Sequence, residues 1–161
     1  MIIFVTLGSQ EFQFNRLLMA IDEQVQNGKI TDKIFAQIGA SDYIPRTFEY
    51  EKFLDYKRFS GWIDMADIVI THGGTATIIN AIKKRKKVIA SPRLSKFNEH
   101  VDDHQLQLIE QFSKESLICA CYDLENLWKE IQDVKIMGFN QYESNTKQII
   151  ESIDEFVSSC N

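Results

Sequence analysis

Two short stretches hold most of the residues able to do chemistry: Thr71-His72-Gly73-Gly74-Thr75 and Glu99-His100-Val101-Asp102-Asp103-His104-Gln105. Before the first, the apolar run Ile68-Val69-Ile70 reads as a strand, and a helix-spaced apolar segment begins at about Ala76. Strand, glycine turn, helix is an order that exposes backbone N–H groups and the positive end of a helix, so its natural guest is an anion, a phosphate above all. A blander reading stands beside it: glycines meet the φ > 0 demand of a tight turn, and Thr75 needs to be no more than an N-cap. His72, at the carboxyl end of a buried strand, falls at the edge of the crevice where open α/β sheets bind ligands.

The second stretch mixes carboxylate, amide and imidazole, the short donors and acceptors that sugar and ribose hydroxyls require. Its His100-x-x-x-His104 spacing would set two imidazoles on one helix face. No Glu follows the first His, however, and Asp102 and Asp103 intervene, so the expectation is no metal and no cofactor. The chain has no G-x-x-x-x-G-K-[ST], no G-x-G-x-x-G after its first strand and no G-x-S-x-G. P-loop, standard dinucleotide and hydrolase readings lose support accordingly.

The elements that must position these residues alternate. Ile2–Thr6 is an apolar, β-branched run, followed by Gly8 and a helix over Asn15–Gln26 that carries Leu17, Leu18, Ile21 and Val25. Strands are expected at Lys33–Ile38, near Arg46–Tyr50, at Asp67–Thr71, Lys86–Ala90 and Leu117–Cys121. Helices are expected after Tyr50 (one or two short ones), after Gly74, through Leu106–Phe112, after a capping Asp123, and over Gln141–Val157, where Ile149, Ile150, Ile153, Phe156 and Val157 share a side. This alternation predicts an α/β fold, a Rossmann-like parallel sheet with helices on both faces, as one domain over residues 1–161. Loops 7–15, 39–45, 71–75 and 91–105 should then gather at one sheet edge. The aromatics Phe48, Tyr50, Phe53, Tyr56, Phe59 and Trp62 are either core or a carbohydrate platform, with core packing favoured.

A net charge of −5 argues against a nucleic-acid footprint. The basic cluster Lys83–Lys87 reads first as a solvated helix end and second as a membrane-surface patch. Met1–Val5 lacks a basic n-region, and the three cysteines Cys119, Cys121 and Cys160 do not make a zinc set, so a cytoplasmic location is expected.

Three motifs together resemble the donor-binding carboxyl-terminal half of glycosyltransferase family 28: Phe4-Val5-Thr6-Leu7-Gly8-Ser9, Ala66-Asp67-Ile68-Val69-Ile70-Thr71-His72-Gly73-Gly74, and Pro92-Arg93 followed by Glu99–Gln105. The chain looks most like the small subunits of two-chain enzymes, the dolichol-linked N-acetylglucosaminyltransferase and the bacterial capsule or exopolysaccharide β-1,4-galactosyltransferases. The resemblance implies one half of a GT-B enzyme that binds a UDP-sugar, with galactose favoured. A membrane-associated, acceptor-binding partner would hold the lipid-linked saccharide and keep this chain at the inner membrane face. It implies Gly8 and Ser9 near the pyrophosphate and His72, Gly73, Gly74 and Thr75 holding the phosphates. Asn80 stands where some members carry a ribose-binding Glu, and His104 and Gln105 match the pair that reads the donor sugar. Glu99, His100 and Asp103 are further candidates for sugar contacts. An inverting, metal-independent displacement with no catalytic residue on this chain is implied; the alternative is a non-catalytic partner that enhances a separate transferase subunit.

Overall fold

The computed structural model describes residues 1–144 and 146–159, with side chains left out at 146–149, 154 and 159; Cys160 and the Ile149 side chain lie outside the described residues. Six strands, β1 (Ile2–Thr6), β2 (Lys33–Gln37), β3 (Glu49–Glu51), β4 (Ile68–His72), β5 (Lys87–Ser91) and β6 (Cys119–Ala120), pair in the order β3-β2-β1-β4-β5-β6. All five pairings are parallel. The order reverses between β1 and β4, which makes the gap beyond their carboxyl ends the switch point where such sheets bind ligands.

Strand residues alternate between two cores. Ile3, Val5, Ile68, Ile70 and Ile89 pack with helices α1 (Asn15–Gln26) and α5 (Leu127–Ile136) on one face. Phe4, Val69, Val88 and Ala90 pack on the other with α2 (Tyr56–Met65), α3 (Thr75–Lys83) and α4 (His104–Lys114). Because both faces are covered, the strands read as unbroken apolar runs. Phe59 and Trp62 belong to this core: Trp62 stacks on Phe35 at 4.0 Å, and Phe59 meets Phe4 edge-on at 5.7 Å. Tyr50, Phe53 and Tyr56 are exposed.

Boundaries shift where side chains claim backbone groups. The strand expected near Arg46 begins at Glu49, because the Arg46 and Thr47 N–H groups donate to Asp22 at 2.8 Å and cannot join a ladder. One helix, α2, follows, capped by Asp55, which accepts from the Arg58 N–H. β6 is only two residues long, a short edge strand, although Cys121 N–H still donates to Ala90 C=O at 2.8 Å. Helix α6 (Thr146–Ser159) starts later than Gln141, because Asn140 is tied to Ser116 C=O and Glu115 C=O. The basic cluster is largely spent on structure: Lys84 reaches Ser60 and Asp64, Lys86 reaches Asp64 C=O, and Lys87 caps the carbonyls of Val134 and Lys135.

Candidate functional site

The loop after β1 turns at Gly8, whose φ of +77° is costly for any residue with a Cβ. A Cβ there would also stand 2.8 Å from the His72 ring. Gln37 holds the turn from below by donating to Gly8 C=O at 3.1 Å. The loop after β4 comes equally close: a Cβ on Gly74 would overlap the His72 imidazole, and one on Gly73 would lie 2.7 Å from Gln105 Cβ. His72 is thus the wedge between two glycine turns. Burial, then the charge of Arg93, pushes its pKa down to about 3, so the ring is neutral at physiological pH. Its Nδ1 lies 3.3 Å from Thr71 Oγ1, whose own hydrogen goes to Thr6 C=O, so Nδ1 is the donor and the ring carries no positive charge toward an anion.

Gly74, not Thr75, is the N-cap of α3, and no side chain caps this helix. The first turn holds no acidic residue, and Thr75, Ala76 and Thr77, which open the helix, line the cavity beside it. The Gly73 N–H is not available to a phosphate, because it donates to Gln105 Oε1 at 3.0 Å. That same oxygen accepts from Arg93 N–H at 3.1 Å, so Gln105, which is buried, staples the β4 turn to the β5 loop.

The result is a cavity of about 480 Å³ at the switch point, lined by Gly8–Gln10, His72–Thr77, His100, His104, Gln105 and Leu108. Of the residues expected from sequence, Gly8, Ser9, His72, Gly73, Gly74, Thr75, His100, His104 and Gln105 come together here. Three do not. Asn80, in the second turn of α3, is not on the wall. Glu99 is buried, takes two hydrogen bonds from Arg16 at 3.0 Å and one from Leu94 N–H, and lies beside a separate cavity of about 580 Å³ along α1. Asp103 accepts from Ser95 N–H at 2.7 Å and fixes its own loop. Loop 39–45 also stays off the wall: Ser41 accepts from Phe14 N–H and supports α1.

Arg93 belongs to the Pro92-Arg93 motif, but the sequence gives it no role, since an arginine carries no local sign of burial. It is fully buried, its Nη2 donates to Leu7 C=O and Phe12 C=O at 2.7 and 2.9 Å, and its Nε and Nη1 have no hydrogen-bond partner among the described residues. Burial lowers its pKa to about 10, which still leaves it a cation. It locks the 7–12 loop to the end of β5. His100, Asp102 and His104 are the one group among the described residues whose ligand atoms lie close enough to hold a metal, within 4.8 Å of one another. His100 precedes α4, so the pair does not share a helix face as its spacing suggested. Cys119 and Cys121 are buried thiols whose pKa values burial raises, that of Cys121 to about 12.

Residues 2–159 match the family described as the glycosyltransferase family 28 C-terminal domain. A human protein, "UDP-N-acetylglucosamine transferase subunit ALG13", is 28% identical over 127 residues, which span 74% of this chain and 11% of that protein. The chain therefore spans about a tenth of the curated relatives it matches. Among solved structures, the glycosyltransferase of kitacinnamycin superposes with a TM-score of 0.64 at 16% identity, covering 84% of this chain and 35% of that one. A solution structure of ALG13 superposes with a TM-score of 0.58 at 17% identity, covering 94% of this chain and 93% of that one.

Proposed function

Because the chain belongs to the glycosyltransferase family 28 C-terminal domain family, we propose that residues 1–161 act as one donor-binding unit, the UDP-sugar subunit of a heteromeric hexosyltransferase. The observation that carries this reading is the single cavity at the switch point, where a glycine turn, an uncapped helix N-terminus and the His104-Gln105 pair meet. The diphosphate sits against the first turn of α3, whose Thr75, Ala76 and Thr77 N–H groups and dipole stabilise the charge that develops on the leaving UDP. Gly8 and Ser9 close the other side. His72 acts by shape: neutral and buried, it spaces the two glycine turns. His104 and the amide nitrogen of Gln105 face the sugar. The displacement inverts the anomeric centre without a metal, and the base comes from a membrane-associated chain that holds the lipid-linked acceptor.

Both galactose and N-acetylglucosamine are carried forward as the sugar. The form of the Glu99–Gln105 string favours the first, and the name of the human relative favours the second. Calorimetric titration with UDP, UDP-galactose and UDP-N-acetylglucosamine, on this chain alone and co-expressed with its membrane-associated partner, tests the reading. Binding of one UDP-sugar more tightly than UDP is expected; no nucleotide binding in either form overturns it.

A further inference from the structure

We infer that Asp102 is a positioning residue for His104: its carboxylate holds the His104 ring by Nδ1, so that Nε2 is left as a hydrogen-bond acceptor for a hydroxyl of the donor sugar. The inference rests on the donor-site reading above and deepens it. Asp102 Oδ1 accepts from the His104 backbone N–H at 3.2 Å and from His104 Nδ1, and it lies 3.3 Å from His100 Nδ1. An ionised carboxylate can only accept, so the hydrogen of the His104 bond sits on His104 Nδ1, and a neutral imidazole protonated there offers a lone pair at Nε2; His100 Nδ1 instead accepts from the Asp102 backbone N–H at 3.5 Å. The His104 hydrogen bond, first among its partners, holds the Asp102 carboxyl below the usual carboxylate range.

The arrangement is braced from behind. The His100 ring lies 4.5 Å from the Phe12 ring and 4.8 Å from the His104 ring, nearly perpendicular to the latter. Phe12 is in turn fixed by Arg93 at its carbonyl. Without the carboxylate nothing here dictates which His104 nitrogen carries the hydrogen, and a ring protonated at Nε2 would present a donor where the Asp102-held ring presents an acceptor. A divalent cation is the competing occupant of the same three groups. Bound at His104 Nδ1, it would displace the hydrogen that Asp102 holds there.

The test pairs a spectroscopic readout with a binding split. Nitrogen-15 NMR of the imidazoles should show hydrogen on His104 Nδ1 in the unaltered protein and on Nε2 to a larger extent in Asp102→Ala. Asp102→Ala should reduce the preference for UDP-sugar over UDP by about tenfold, the scale of one lost hydrogen bond, with UDP affinity unchanged. Asp102→Asn, whose amide oxygen still accepts from Nδ1–H, should restore most of that preference. Hydrogen on His104 Nε2 in the unaltered protein, an Asp102→Ala variant with its sugar preference intact, or stoichiometric zinc bound in place of the His104 Nδ1 hydrogen each overturns the inference. Failure of the donor-site reading is told apart by the parent chain: if it binds no nucleotide with its partner present, the role toward sugar falls with that reading, whatever the tautomer.

Discussion

At the residue scale the site turns on close approaches that only glycine permits and on a histidine kept neutral. Gly74→Ala inserts a Cβ into the space of the His72 ring. Since forcing atoms into a packed site costs about 1–3 kcal/mol, UDP affinity should fall by tenfold or more in calorimetry while the backbone at position 74, whose φ of −74° suits alanine, raises no objection of its own. His72 also sets a pH dependence. Its folded pKa of about 3 lies below the ordinary value of 6.5, so between those values the unfolded chain binds a proton that the folded chain refuses. The stability it supports is complete above pH 6.5 and is lost as pH falls toward 3, with a slope of at most about 1.4 kcal/mol per pH unit. Urea midpoints measured across that window should flatten in His72→Asn. A midpoint that falls with acid just as steeply in the variant would remove His72 as the cause.

At the element scale, two ion-pair or carboxylate hubs attach loops to α1 and leave the cavity alone. Asp22, 4% exposed, accepts from Tyr43 Oη and from the Arg46 and Thr47 N–H groups at 2.8 Å, and also from Thr47 Oγ1. Burial opposes its charge, yet these bonds together keep its pKa below the ordinary value. Asp22→Ala should cost about 1–3 kcal/mol in chemical denaturation and leave UDP affinity unchanged, because the 43–47 loop does not line the cavity. Glu99 separates fold from site in the same way. Its ion pair with Arg16 sends it away from the sugar side, so Glu99→Gln should lower the unfolding midpoint while the preference for UDP-sugar over UDP stays as it was. A changed preference with unchanged stability would return Glu99 to the site.

At the scale of the whole molecule, the surface that the proposed function assigns to the partner chain is α6. Ile150, Ile153 and Val157 are all more than half exposed on this helix. No helix among the described residues is long and apolar enough to cross a membrane; the proposed function gives membrane attachment to the partner. Replacing Ile150 and Ile153 with Asp should abolish co-purification with the co-expressed membrane-associated chain and leave UDP binding by this chain intact. Retained co-purification would move the docking face elsewhere.

The parallel α/β fold was legible from the sequence because both-face burial leaves a one-dimensional signature, apolar runs such as Ile68–Ile70 broken by glycine turns and amphipathic helices. That the glycines of the 71–75 turn and His104-Gln105 would meet at one cavity was legible for a related reason, since a strand-to-helix turn at a sheet's carboxyl edge demands particular residue types. Tertiary structure alone decided how those residues divide the work. Whether Gly73 N–H meets a ligand or Gln105, whether Glu99 faces a sugar or Arg16, and whether Arg93 is a surface cation or a buried clamp depend on contacts between residues as many as 86 positions apart. Such pairings are selected by packing and by the need to satisfy buried polar groups, which act through space and leave no local pattern in the chain.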